Sequence, residues 1–492
     1  MSNEVAVSDV ELVITTRRRR ATRPWYGVLW ALPVQSFWRC FATILTLVSA
    51  NAFWRLGDTF VRDYDEGRYG VAASEMLHRH SLLVTTYAGS TEFWNLKPPL
   101  GYWLLEISYS LFGETPFALR APAALCAVLT TALTMIMARR MAGPRAAILS
   151  GLIVATSFGF LAHHGARSGE LDMPLTLLMF LMFMLAPGLY ESRAARLGTG
   201  LVLALGFLLK SFAVLPFVAA IGAHTLLTRG LRCWRAWVLP SLIVVVVTIS
   251  WAIARTVAED SSEFVRRMFV EDLFLRSTTA IDPVEASIWD YVGALFDRFA
   301  PWPLVVVVAC GISWTVARAR WRGEGSRVFG RQLTSDSAIL LGCYCLIPLL
   351  LFTLARTHHS HYIVPLYPAW AILGAVAALE LVNAAGRVQW SRPALGILLT
   401  LVLACEARII AQVEIRDRLS HEQVLLASLR ERLGPGAQLY VAFTPTYSER
   451  FFLQVVDGFV LKDAPSDRDP PSNALVLMRN SGLQSYALAR IR

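Results

Sequence analysis

"AWVLPSLIVVVVTISWAIA", residues 236–254, runs nineteen residues without a charge. As a helix it would extend about 28 Å, close to the thickness of a bilayer's hydrocarbon core. Arg229, Arg232 and Arg235 crowd one end, in "RGLRCWR", whereas the other end leads through "ARTVAED" into a long mixed-charge loop. An apolar run of this length with bases at one end reads as a transmembrane helix. The asymmetry also orients it, with the arginines on the cytoplasmic side.

Similar runs recur along the chain. Spans are expected near 38–56, 118–138, 146–162, 171–189, 197–210, 212–227, 236–254, 301–317, 337–355, 361–382 and 393–410. The whole chain of 492 residues is 55% hydrophobic and 17% charged, below the roughly 25% charged of soluble domains. The expected fold is therefore mainly α: a polytopic membrane protein with about 11–13 transmembrane helices and a small C-terminal α/β extracytoplasmic domain. The net charge of +10 resides mainly in arginines of alternate short gaps. That is the distribution of an orientation signal, and no basic face or stacking motif for nucleic acid accompanies it.

Three regions follow. Residues 1–37, with Arg17–Arg20, read as a basic cytoplasmic tail followed by an uncleaved anchor. Residues 38–413 form the transmembrane module, in which 57–117 is the first periplasmic loop. Residues 414–492 read as a periplasmic α/β domain. In it "HEQVLLASLRERLG" has the pattern of an amphipathic helix, "QLYVAFT", "FVLK" and "ALVLM" those of strands, and "PTYSERFFLQVV" that of a helix. Within the first loop, "PPLGYWLLEISYSLFG" (98–113) carries Glu106, so it reads as an interfacial or re-entrant helix rather than a span. The seven cysteines fall in spans or inner gaps and do not form a disulfide framework.

The outer gaps hold the candidate chemistry. "FVRDYDEGRYG" (60–70) puts Asp65 and Glu66 at the membrane boundary, where paired carboxylates can accept a proton or hold a cation. "FWNLKPPLGYW" (93–103) fixes Lys97 before two prolines and beside aromatics, an arrangement suited to a phosphate. "HHGARSGELDMPL" (163–175) places Glu170 and Asp172 at the start of a span; its adjacent histidines would point apart on a helix, which argues against a metal site. "ARTHHSHYIVPLYP" (355–368) supplies Arg356, His361 and Tyr362, and its "HHSH" tract lacks an accompanying acid, so anion binding is expected there. Lys210 lies at another outer turn. The inner gaps carry almost only arginine, and no P-loop or Rossmann glycine pattern appears.

The ordered set "DYDEGRYG", "KPPLGYWLLEISYSLFGETPFALRAPAAL", "ARSGELDMPLTL", "LLKSFAVLPF" and "HYIVPLYPAW" resembles the C-type glycosyltransferase superfamily, in its aminoarabinose-transferase and protein O-mannosyltransferase-like branch. The resemblance spans residues 40 to 382. It implies inverting transfer of a sugar from a polyprenyl-phosphate donor to lipid A or lipopolysaccharide, another glycan or a protein at the periplasmic face of the bacterial inner membrane. It implies Asp65 as the catalytic acid of the first loop, with Glu66 beside it, and Asp172 as the acid of the second loop. Lys97, Arg68, Lys210, Arg356 and His361 are expected around the donor phosphate. Tyr69, Tyr102, Glu170 and Tyr362 are expected in the acceptor cavity. Leu96 stands where many relatives carry glutamate. No cofactor and no metal are expected to be required. A transporter or flippase without chemistry is the alternative reading of the same spans.

Overall fold

The computed structural model describes residues 34–490 except 59–60, 94–96, 163, 260–261, 269, 271–286, 322–332, 387–390, 417–425, 427–428, 464–473 and 481–484. The basic tail up to residue 33, His163, Leu96 and parts of the arginine-rich gaps 318–327 and 386–392 lie outside the described residues.

Each of the eleven apolar runs coincides with helix. The elements in chain order are α1 (Val34–Phe53), α2 (Asp65–Arg79), a short hairpin of β1 (Thr86–Tyr87) and β2 (Ser90–Thr91), α3 (Leu100–Phe112) and α4 (Pro116–Ala155). They continue with α5 (Asp172–Leu185), α6 (Arg193–Lys210), α7 (Leu215–Arg229), α8 (Trp234–Ala258), α9 (Asp290–Arg298), α10 (Trp302–Trp321), α11 (Ser335–Leu354), α12 (Tyr367–Gly386) and α13 (Ser391–Ala411). Five helical stretches among the described residues are long and apolar enough to cross a membrane, and α9 with α10, bent by 106°, makes a sixth. One of the five, Arg193–Ala258, contains three of the helices above.

One expectation changes in detail. The gap between spans near residues 138 and 146 is a break within α4 at Gly143, whose φ of 88° and ψ of 179° are not helical. Glycine adopts positive φ without a steric penalty, and Pro144 disfavours helix in the residue before it. The region 98–113 forms α3, which buries Gly101, Tyr102, Leu105, Ser108 and Tyr109 and leaves Ile107, Leu111 and Phe112 exposed.

Beyond α13 the chain forms a four-stranded sheet in the order β4-β3-β5-β6 (Val460–Asp463, Gln438–Val441, Leu475–Asn480, Ser485–Arg490). β3 pairs parallel with β4 and β5, and β5 pairs antiparallel with β6. The sequence reading did not place β6, because "SYALAR" alternates but ends in charge. The expected helix after β3 is α14 (Tyr447–Arg450), capped by a Thr446–Glu449 capping box and continued by a π-helical turn over Phe451–Val456. This turn does not hang free. The Ser448 amide donates to Asp63 Oδ1 at 2.7 Å, Ser448 Oγ donates to the Val61 carbonyl, and Gln454 donates to Glu75 at 2.9 Å. The C-terminal sheet is thereby fastened onto α2.

Candidate active site

The site begins with α2. Tyr64 takes a φ of 66°, and the chain enters the helix abruptly behind it. Asp65 and Glu66 occupy the first turn, where carboxylates favour the positive end of the helix, and His80 closes the other end in the left-handed conformation. Helical spacing then separates three faces. Asp65, Arg68 and Tyr69 lie along one, Glu66 projects into the protein, and Gly67 and Gly70 face the C-terminal domain.

Glu66 is 1% exposed and accepts four hydrogen bonds. Arg120 Nε (2.6 Å) and the Gly169 amide (2.9 Å) reach Oε1, while the Arg62 amide (2.8 Å) and Arg120 Nη2 (3.1 Å) reach Oε2. Burial alone would raise its pKa. The Arg120 guanidinium and the two amides overcome that and hold the carboxyl below its usual range. With every lone pair engaged, Glu66 joins α2, α4 and the second loop rather than facing a substrate, a correction to its expected catalytic role. Asp65 is half-buried and lies within electrostatic reach of Tyr69, Tyr102, Glu170 and Lys210.

The second loop brings in Asp172 as the first residue of α5. Its Oδ1 accepts from Lys210 Nζ at 2.6 Å, and its Oδ2 stands 3.4 Å from His164 Nδ1. His164, itself left-handed at φ 58°, also contacts Glu170 and stacks on His361 with ring centroids 3.8 Å apart. Burial disfavours the His164 imidazolium, but Glu170 and Asp172 outweigh it and hold its pKa at about 9. Burial likewise raises the Glu170 carboxyl, opposed by His164. Arg167 secures this loop from beneath by donating to the carbonyls of Asn51, Ala52 and Trp54 at the end of α1.

Of these groups, Asp172 and Lys210 border a cavity of about 270 Å³. Its polar end is Lys97, Asp172, Lys210 and Tyr362, and its apolar wall includes Phe212, Leu215, Phe217 and Phe352. Lys97 is nearly buried. The remaining expected residues divide. Tyr69 and Tyr102 meet edge to face at 5.8 Å beside Asp65, and burial raises both phenols. Arg68 is buried in a two-point ion pair with Glu92, Nη2 to Oε1 at 2.8 Å and Nε to Oε2 at 3.1 Å, so any phosphate would share it with that carboxylate. Arg356 is exposed and does not line the cavity, although Ala355 and Thr357 on either side do. Its expected place at the donor phosphate is not borne out: the chain bends through Ala355 and Arg356 as it leaves α11, and the Arg356 side chain is left exposed. Sequence reading did not single out Arg120 or Glu92. Arg120 sits inside an apolar helix, and a buried charge in such a place was the available signal.

Fold and cavity together define a class: the chain is a multi-pass membrane protein with a C-type glycosyltransferase fold. The model of the family described as dolichyl-phosphate-mannose-protein mannosyltransferase matches residues 96–255. Within that class the chain is similar to aminoarabinose transferases. It is 29% identical over 325 residues to the undecaprenyl phosphate-alpha-4-amino-4-deoxy-L-arabinose arabinosyl transferase of Edwardsiella ictaluri, covering 63% of this chain and 54% of that one. It is 27% identical to the corresponding Pseudomonas savastanoi protein, over 65% and 57% of the two chains. The chain thus spans about half the length of the curated relatives it matches. Among solved structures it is similar to ArnT from Cupriavidus metallidurans bound to undecaprenyl phosphate, with a TM-score of 0.69, 18% identity, and coverage of 92% of this chain and 94% of that chain.

Proposed function

We propose that this protein is a glycosyltransferase that moves a sugar from a polyprenyl-phosphate donor to an acceptor at the periplasmic face of the bacterial inner membrane, with inversion. One observation carries the reading: the cavity joins a polar end containing two lysines, Lys97 and Lys210, to a phenylalanine-lined wall within a membrane-embedded helix bundle. A prenyl phosphate has that same division, an anionic head on an apolar tail. The relatives named above carry undecaprenyl phosphate in their names, which supports the same donor class here.

In the proposed reaction an acceptor oxygen attacks the anomeric carbon, the carbon–oxygen bond to phosphate breaks, and the phosphate leaves with the bonding pair. Asp65 receives the proton when the acceptor is a hydroxyl and positions the acceptor when it is a phosphate. Lys97 and Lys210 stabilise the departing phosphate, and Asp172 holds Lys210 at 2.6 Å in the required place. Tyr362 lines the same end, and Tyr69, Tyr102 and Glu170 surround Asp65. The transfer step draws on no nucleotide and no metal. The acceptor class spans lipid A or other lipopolysaccharide, glycan and protein.

Membranes supplied with labelled undecaprenyl-phosphate aminosugar test this reading. Asp65→Asn is expected to lower transfer at least about 100-fold. Lys97→Ala is expected to lower it similarly while weakening retention of the prenyl phosphate. Full transfer by a folded Asp65→Asn protein overturns the assignment of Asp65, and a wild-type protein that consumes no lipid-linked sugar overturns the reaction. The arginine-rich gaps support an N-terminus in the cytoplasm and a C-terminal sheet in the periplasm. A membrane-impermeant reagent should therefore label a cysteine introduced in the Ser485–Arg490 strand in intact spheroplasts, and labelling only after lysis would reverse the orientation.

A further inference from the structure

Three tyrosines from three separate segments meet where the chain enters α2. Tyr64 precedes the helix, Tyr87 lies in the β1–β2 hairpin, and Tyr447 opens α14 of the C-terminal domain. Their rings form a ladder, with centroids 6.1 Å apart between Tyr64 and Tyr447 and 5.2 Å apart between Tyr447 and Tyr87. Two buried guanidinium groups hold it from behind: Arg68 Cζ stands 6.0 Å from the Tyr447 ring centre and Arg450 Cζ 5.6 Å from that of Tyr87. At the open end of the ladder Tyr64 is 75% exposed, although Val61 and Glu66 close by in sequence are sealed in the protein.

Tyr64 reaches that position at a cost. A bulky residue at a φ of 66° is strained, and such a conformation persists only where its surroundings over-determine it. Here the Tyr64 carbonyl accepts the Arg68 amide at 3.0 Å, and Arg120 locks Glu66 on the inner side. The sharp entry to α2 thus turns the Tyr64 ring into water immediately beside Asp65, where its ring partner is Tyr447 of the C-terminal domain.

We propose that Tyr64 and Tyr447 form a stacking platform for a sugar ring of the acceptor, so that the C-terminal domain contributes a side chain to the transfer site. A sugar ring presents C–H groups on its face, and their positive hydrogens suit the negative face of an aromatic ring. Its hydroxyls stay at the rim, in water. Because Tyr64 adjoins Asp65, a ring seated there holds its own nucleophilic oxygen near that carboxylate. The inference rests on the transfer reading above and narrows it: the acceptor carries a sugar ring, which a bare protein hydroxyl does not. It also gives the contacts that fasten α14 onto α2 a purpose, since they fix Tyr447 against Tyr64.

Full-length protein in detergent, with no donor present, is titrated with lipid A, an acylated glucosamine disaccharide, and separately with phosphatidylglycerol, an acylated anion without a sugar ring. Saturable binding of lipid A that phosphatidylglycerol does not displace is expected. Tyr64→Ala and Tyr447→Ala are each expected to weaken it at least about fivefold. Tyr64→Phe and Tyr447→Phe should restore it, which separates a lost ring from a lost fold. Tyr64→Leu keeps an apolar side chain without an aromatic face and should bind as weakly as Tyr64→Ala. In membranes supplied with lipid-linked sugar, the alanine variants should raise KM for the acceptor and leave KM for the donor within about twofold. A wild-type chain that transfers no sugar yet binds lipid A through the two tyrosines supports the platform and overturns only the reaction. Equal competition by phosphatidylglycerol, or alanine and leucine variants that bind as tightly as the wild type, overturns the proposal.

Discussion

Glu66 shows how far a residue's chemistry depends on its surroundings. Beside Asp65 in sequence it shares the same charge and the same loop, yet it is sealed against Arg120 and two backbone amides. Removing one partner of a buried ion pair typically costs about 3–5 kcal/mol, because the other charge is left uncompensated. Glu66→Gln is therefore expected to destabilise the protein by about that amount, read as a lower melting temperature in detergent. The sign of the pH dependence follows from the depressed pKa. The stabilisation is present above the ordinary glutamate value of about 4.3 and is lost as the pH falls through the lower folded value. The gap between wild type and Glu66→Gln should thus narrow in acid. A variant as stable as the wild type at pH 7 would show that the clamp contributes nothing.

At the scale of elements, α2 is the junction of the molecule. One face carries Asp65, Arg68 and Tyr69, and the face of Gly67 and Gly70 meets α14 and the turn behind it. A Cβ at Gly67 would stand 2.8 Å from the Tyr447 carbonyl and 2.9 Å from the Ser448 nitrogen, whereas one at Gly70 would meet the Phe451 ring at 2.6 Å. The two glycines are therefore needed for close approach, not for an unusual φ. Backbone cannot yield as a side chain can, so the positions should respond differently. Gly67→Val is expected to cost about 1–3 kcal/mol and to reduce transfer, with no rescue from substitutions in α14. Gly70→Ala should be partly rescued by Phe451→Leu. Comparing the melting temperatures of the single and double variants checks this, and equal rescue at both sites would contradict the contact geometry. Asp63, which reads in sequence as one more solvated loop charge, accepts the Ser448 amide in the same junction.

At the scale of the whole molecule, composition and spacing carried most of the fold. Uncharged runs near twenty residues long leave few folds but a helical bundle in a bilayer, since lipid offers the backbone no hydrogen-bond partners. All eleven runs accordingly coincide with helices, and the alternating polar segments beyond residue 434 with strands. The charged residues at the outer ends were legible as a group for the same reason: a charge beside lipid is costly and needs a cause. Their division of labour was not legible. Glu66 and Arg68 are held by Arg120 and Glu92, and Arg356 lies exposed outside the cavity. His164, Asp172 and His361 converge although two of them are nearly two hundred residues apart. What the sequence by itself determined is which segments lie in lipid and which end of each carries charge, because both follow from local transfer free energies. Only the tertiary structure decided which charges face one another, because such pairing depends on distances of a few ångströms between loops that have no fixed relation along the chain.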